Sequence, residues 1–241
     1  MPLEAVVSAI LYRLKTGCQW RELPIKQFFH STYSWKSVYY HFRKWCRNGN
    51  WERLKEGLFE KYKTYLDLSC VQLDGSHTPA KQGGERVGYQ GRKRCKTTNM
   101  LFLCDNQGIP LGCSQAIDGN HNDLFEIENH VDEILSSLKR SSIKTDYLFI
   151  NADAGFDSEH FRKFCTKKEL VPNIAFNKRN GNIADRNVIF DEKLYTRRFV
   201  IERMNAWLDG FKALLMRFET RALHWKCIHI IAFCLILIRK L

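Results

Sequence analysis

Three acidic residues stand where a chain can bring negative charge to bear on a reacting group. Asp74 closes the apolar run Val71-Gln72-Leu73 and is followed by Gly75. Asp153 follows Tyr147-Leu148-Phe149-Ile150 in the segment Asn151-Ala152-Asp153-Ala154-Gly155-Phe156-Asp157. Both read as acids at the carboxyl ends of strands, where α/β folds place chemistry because side chains there project into a crevice between loops. Each, taken alone, also fits an ordinary turn or capping aspartate. Glu202 belongs to a different pattern. Val200, Met204, Trp207, Phe211 and Leu214, widened by Leu208 and Leu215, make one stripe at helical spacing. Arg198, Glu202, Asn205, Asp209 and Lys212 make a second stripe roughly 200° away. One face packs, and the other is either an ordered polar row or a plain solvated face.

Converging carboxylates repel one another unless cations neutralise them, and hard oxygen ligands with open positions suit Mg²⁺ or Mn²⁺. Two such ions about 3.5–4 Å apart activate an attacking oxygen and stabilise the leaving one in an in-line phosphoryl displacement. The composition supplies a complementary field: 38 Lys and Arg against 26 Asp and Glu give a net charge of +12, which draws polyanions, nucleic acid first. The excess is uneven. Residues 1–66 hold twelve basic side chains, Arg43 and Lys44 among them, against five acidic ones. The stretch Lys81–Lys96 carries Lys81, Arg86, Arg92, Lys93, Arg94 and Lys96 with one acid, Glu85, and glycines at 83, 84, 88 and 91. It reads as a loop whose glycines let the backbone approach a ligand while the bases pair with phosphates; a mobile solvated loop is the plain alternative.

Helical spacing in the first third predicts helices over Leu3–Lys15 with Gly17 as a stop, over Ser34–Trp45 and over Trp51–Tyr65. From Leu68 the period changes, and strands are expected at Cys70–Leu73, Met100–Cys104, Ile109–Ile117 and Tyr147–Ile150, with Asp105-Asn106-Gln107-Gly108 as a hairpin turn. Helices follow at Leu124–Leu138, His160–Lys168, Thr196–Phe218 and Trp225–Lys240. Strands alternating with helices indicate an α/β architecture with a mixed sheet. The division expected is a helical, basic, DNA-binding region over 1–66 and a catalytic domain over 67–241. The longest apolar run, Ile228–Ile238, is short for a bilayer span and holds His229, so a buried helix is expected. The acidic start Met1-Pro2-Leu3-Glu4 is unlike a signal peptide, and nine cysteines without a CxxC pair suit reduced, buried thiols in a cytoplasmic protein.

Several ordered motifs together resemble the DDE transposases of bacterial insertion sequences, in the group marked by a Tyr, Arg, Glu, Lys signature. Tyr195, Arg198 and Glu202 match that spacing; Leu73-Asp74-Gly75-Ser76-His77-Thr78 is similar to the first-aspartate motif and Asn151-Ala152-Asp153-Ala154-Gly155-Phe156 to the second. Gly91-Arg92-Lys93-Arg94 and Gly119-Asn120-His121-Asn122-Asp123 resemble segments lying between the two acids, and Thr16–Pro24 resembles the helical N-terminal region. The resemblance implies a ribonuclease H-like mixed sheet flanked by helices, with Asp74, Asp153 and Glu202 as catalytic and metal-binding residues. It also implies Mg²⁺-dependent cleavage at insertion-sequence ends and strand transfer of the freed 3′-hydroxyl, with two ions per site, Mn²⁺ as substitute, and no covalent protein intermediate. DNA contacts are expected from Arg92, Lys93, Arg94, Lys96, Arg198, Lys212, Arg43 and Lys44. The expected partners are double-stranded terminal repeats, target DNA and a second copy in a homodimer, with no membrane, in the bacterial cytoplasm at the nucleoid.

The chain departs from that pattern at three places. Asp209 occupies the signature Lys position, Phe156 stands where the group often has Tyr, and Met1-Pro2 opens inside what resembles the first N-terminal helix. The last makes a truncated remnant that only binds DNA the principal alternative; another metal nuclease on the same fold is the third. His77 and His121 lack zinc-ligand partners at suitable spacing and read as polar loop residues.

Overall fold

β1, Val71–Pro79, runs through the middle of a seven-stranded mixed sheet. The computed structural model describes residues 2–30, 33–181, 188 and 190–241; Met1 of the opening Met1-Pro2 lies outside them. The helices are α1 (Leu3–Thr16), the single turn α2 (Ile25–Phe28), α3 (Trp35–Arg47), α4 (Asn50–Tyr62), α5 (Ile127–Arg140), α6 (Glu159–Lys167), the single turn α7 (Glu192–Tyr195), α8 (Phe199–Asp209) and α9 (Ala222–Lys240). The other strands are β2 (Gly88–Gln90), β3 (Cys95–Cys104), β4 (Pro110–Cys113), β5 (Ile117–Asp118), β6 (Phe149–Ala152) and β7 (Val171–Ile174).

The order is β2-β3-β1-β6-β7, with β4 and β5 also on β3. β1 pairs antiparallel with β3 from Gln72↔Cys104 to Pro79↔Thr97, and parallel with β6 at Val71↔Ile150 and Gln72↔Asn151. β6 and β7 continue in parallel. An antiparallel half and a parallel half thus meet at β1, which is the ribonuclease H-like arrangement the resemblance predicts.

Strand alternation sends β1 and β3 side chains to opposite faces. Met100, Phe102 and Cys104 pack with α8, α9 and the helices α1 and α3, whereas Val71, Leu73, Leu101 and Leu103 pack with α5 and α6. The N-terminal helices therefore share one apolar core with α8 and α9. All nine cysteines are free thiols, seven of them buried, and burial pushes Cys113, Cys165 and Cys234 up to about 12, which keeps them inert. α9 is long and apolar enough to cross a membrane by length and composition, but most of that apolar window is buried inside the fold.

Four expectations change. β1 runs five residues beyond Asp74, because the ladder with β3 persists after β6 has left. Of the basic stretch Lys81–Lys96, residues 81–87 are a loop as expected, but residues 88–96 form a hairpin, its turn Gly91–Arg94 set between β2 and β3. The region Ile109–Ile117 splits into β4 and β5. The helix expected over Thr196–Phe218 is α8 alone, since the chain leaves the helix at Gly210 and is extended at Phe211 before one 3₁₀ turn, Lys212–Leu214. The turn Asp105–Gly108 forms as expected, with Gly108 at φ +91 and its N–H donating to Asp105 O.

Candidate active site

The parallel register decides which acids meet. Gln72 pairs with Asn151, so Asp74 and Asp153, each two residues further along, leave the ladder side by side on the face toward α8. Asp74 Oδ1 accepts the Gly75 N–H at 2.9 Å. Asp153 Oδ1 accepts the Gly155 N–H at 2.8 Å and so caps the turn Ala154–Phe156, leaving Oδ2 to face outward. The capping role open to Asp153 in the sequence is thus real, and it occupies only one of its two oxygens.

Arg198, at the end of the 3₁₀ turn leading into α8, reaches between the two acids. Its Nη2 lies 3.4 Å from Asp153 Oδ2 and 3.6 Å from Asp74 Oδ1, and its Nε is buried without a hydrogen-bond partner among the described residues. One cation thus serves two carboxylates. Burial pushes the Asp74 carboxyl up to about 6, against the pull of Arg198 and the Gly75 N–H, with Asp153 and Asp123 adding to the rise.

Glu202 sits exposed on the first turn of α8, one turn beyond Arg198. Among the described residues no three His, Cys, Asp or Glu side chains cluster closely enough to hold a metal, so Glu202 is not drawn up to the pair. Two aspartates fit a single Mg²⁺, an ion commonly held by one or two carboxylates with water and substrate phosphate filling the remaining positions. The guanidinium held by both acids shows that they accept positive charge between them.

The other singled-out residues fall into separate groups. Arg92, Lys93, Arg94 and Lys96 are all exposed on the β2–β3 hairpin, with Lys93 Nζ donating to His77 O at 2.5 Å and Lys96 cross-strand from the exposed Tyr89. Arg43 and Lys44 are exposed on α3, Arg43 lying over the Tyr39 ring. Lys212 is exposed but stands off α8, in the 3₁₀ turn after Gly210. Asp209 is exposed at the end of α8. Phe156 is fully buried beside Phe161, where a tyrosine hydroxyl would need a partner. His77 lies on β1 rather than in a loop, its ring nitrogens facing Thr97 Oγ1 and Gln90 Nε2. His121 stacks on Phe125 with ring centroids 3.6 Å apart.

A further acid, Asp123, reaches the site. Its carboxylate lies against Gly75, held by the Asn99 Nδ2 at 2.7 Å. Its signal in the sequence is the stretch Gly119–Asp123, which carries no distance to Asp74.

The strand order places the chain in the ribonuclease H-like class. Within it, the chain belongs to the family described as DDE superfamily endonuclease, whose model matches residues 69–239; a model described as "Putative transposase of IS4/5 family" matches residues 1–55. Two curated relatives come from Burkholderia cepacia. "Insertion element IS402 uncharacterized 16.2 kDa protein" is 33% identical over 87 residues, covering 35% of this chain and 56% of the relative. "Putative transposase for insertion sequence element IS402" is 29% identical over 123 residues, covering 50% of this chain and 53% of the relative. The chain therefore spans about half the length of the curated relatives it matches. Among solved structures, the catalytic domain of Mos1 mariner transposase superposes with a TM-score of 0.33 at 12% identity, over 79% of this chain and 92% of that one. The Mos1 paired-end complex with the left transposon end gives 0.33 at 13%, over 93% and 74%. The fold class follows from the strand order and the family match.

Proposed function

We propose that this chain is a DNA transposase that cuts at the ends of an insertion sequence and joins the freed 3′-hydroxyl to target DNA. The observation that carries the reading is the pairing of Asp74 with Asp153 at the seam of the sheet, bridged by a single arginine. At the element's end water attacks the phosphorus as the P–O3′ bond breaks, giving a 5′-phosphate and a 3′-hydroxyl; that hydroxyl then attacks a target phosphorus, losing its proton to solvent, and the target strand's own 3′-oxygen leaves as the new P–O bond forms. Asp74 and Asp153 would hold the divalent ions. When bound, such ions supply charge stabilisation at the attacking and leaving oxygens. Glu202, one turn beyond Arg198, would complete a two-ion site, and Arg198, displaced from the acids, would meet the incoming phosphate.

The exposed bases of the β2–β3 hairpin and of α3 would track the DNA backbone, which fixes position rather than sequence. The family model described as a DDE superfamily endonuclease, the model described as a putative transposase and one relative named as a putative transposase support DNA as partner. A homodimer on paired ends and a cytoplasmic, nucleoid-associated setting belong to the same proposal. The test is Mg²⁺-dependent nicking and strand transfer on a plasmid carrying the element's ends. Asp74→Asn, Asp153→Asn and Glu202→Gln should each abolish both reactions while DNA retention persists; undiminished cutting in any of them contradicts the assignment.

The separation of Glu202 from the aspartate pair favours one second reading, a copy that binds DNA without cutting it. Retention of DNA with no cleavage under either Mg²⁺ or Mn²⁺ would select it.

A further inference from the structure

Asp74 and Gly75 are neighbours on β1 but face opposite sides of the sheet. Asp74 lies across from Phe102, whose ring belongs to the core of α8 and α9, while Gly75 lies across from Leu101, in the core of α5. Asp123, in the segment between β5 and α5, comes up behind the strand on the Gly75 side. Its carboxylate lies so close that a Cβ placed on Gly75 would sit 2.1 Å from Asp123 Oδ1 and 2.4 Å from its Cγ, far inside van der Waals contact. Glycine is required here by the approach of another side chain rather than by a backbone angle.

The carboxylate is itself fixed. Asn99, fully buried on β3 and paired with His77 across the ladder, donates from Nδ2 to Asp123 Oδ1 at 2.7 Å. The same amide leaves its own Oδ1 buried without a partner among the described residues, so Asn99 is committed to Asp123 at the expense of an unsatisfied acceptor. Asp123 does no capping for α5, whose N-cap position is Glu126 and has no side-chain cap. What it touches is Gly75, and Gly75 in turn gives its N–H to Asp74 Oδ1 at 2.9 Å. The chain of contacts runs Asn99, Asp123, Gly75, Asp74.

We propose that Asp123 is a positioning residue for the active site, holding Gly75 from the far face of β1 so that the Gly75 N–H fixes the Asp74 carboxylate toward Asp153. The proposal rests on the reading of Asp74 as a metal-binding acid. Partners of this kind, which orient a ligating group without touching the ion, typically change metal affinity about 10- to 100-fold when removed.

The test measures Mn²⁺ binding to the full chain without DNA, by the loss of free-ion electron paramagnetic resonance signal, beside Mg²⁺-dependent nicking. Asp74→Asn serves as the reference. Asp123→Ala should weaken Mn²⁺ binding about tenfold and slow turnover at least about tenfold with DNA affinity unchanged. Asp123→Asn, which keeps the shape and an acceptor for Asn99, should recover to within about threefold of the parent. Should Asp123→Ala fail to fold, Asn99→Ala, which frees Asp123 and leaves every acid in place, must weaken Mn²⁺ in the same direction. Unchanged Mn²⁺ affinity in the folded variant overturns the proposal, as does Asp123→Asn behaving like Asp123→Ala, which would point to charge rather than placement. If Asp74→Asn also leaves Mn²⁺ affinity intact, the acid-pair reading itself falls; if Asp74→Asn weakens it and Asp123→Ala does not, only the role of Asp123 falls.

Discussion

Arg13 and Arg198 each face carboxylates, and their settings are opposite. Arg13 Nη2 meets Glu219 Oε1 at 2.6 Å with both side chains almost wholly buried, and Trp20 Nε1 donates to the same oxygen at 3.3 Å. That junction ties α1 to a residue 206 positions later, with Trp20 stacked under the guanidinium. Arg198 instead stands 3.4 and 3.6 Å from two acids, and the Asp153 side chain is 42% exposed. A short, sealed pair is structural, because removing one partner strands a buried charge. A long contact shared by two acids and reached by water is exchangeable, which is what a site that must admit an ion and a phosphate requires.

The largest effect that would break this contrast is on catalysis. Asp153→Asn should lower nicking at least about 1000-fold, the loss expected when charge stabilisation is removed from a phosphoryl-transfer site, with DNA retention in a gel-shift assay unchanged. Cutting within tenfold of the parent would remove the exchangeable half of the comparison. Next, Arg13→Ala should destabilise the fold by about 3–5 kcal/mol in urea titration, since Glu219 is left buried and unpaired. A loss below about 1 kcal/mol would place Arg13 with ordinary surface pairs.

The two regions should also answer pH with opposite signs. Burial drops His229, on the buried face of α9, to about 4 from an ordinary value of 6.5, so it is neutral in the fold and readily charged in the unfolded chain. Its contribution is fully present above pH 6.5 and is lost as pH falls toward 4, amounting to about 3 kcal/mol. His229→Phe should flatten that acid limb in thermal melts. Asp74, pushed up to about 6, works the other way: its contribution is present below pH 3.8 and is lost as pH rises through 6. In metal-free buffer Asp74→Asn should therefore raise stability above pH 6 by about 3 kcal/mol and leave it unchanged near pH 3.5. The smallest effects are on the hairpin. Arg92→Ala and Arg94→Ala should each weaken DNA binding uniformly across sequences and reduce the salt slope by about 1, measured by filter binding from low to moderate salt.

The acid pair was legible because its signal is local: an apolar run, an acid and a glycine, twice over. Their meeting follows from a parallel register that the sequence only permitted. The helix Thr196–Phe218 was over-read because the apolar period continues through Phe211 and Leu214 although the backbone leaves the helix at Gly210. β7 carries Pro172, which usually argues against a strand, and is accommodated because β7 ends the sheet path. The hairpin β2–β3 was hidden by its charges and glycines, which look the same in a loop. Asp123 was out of reach for a different reason: its contact with Gly75 spans separate elements, and only the packing of one face of β1 brings them together.

Crystals of the full chain soaked in Mn²⁺ and measured at the manganese edge test the central claim most directly. The account predicts anomalous density between the Asp74 and Asp153 carboxylates, with the Arg198 guanidinium moved off both. Anomalous density absent from coordinating distance of either carboxylate, about 2–2.5 Å, with Arg198 still held between them at saturating Mn²⁺, would contradict it.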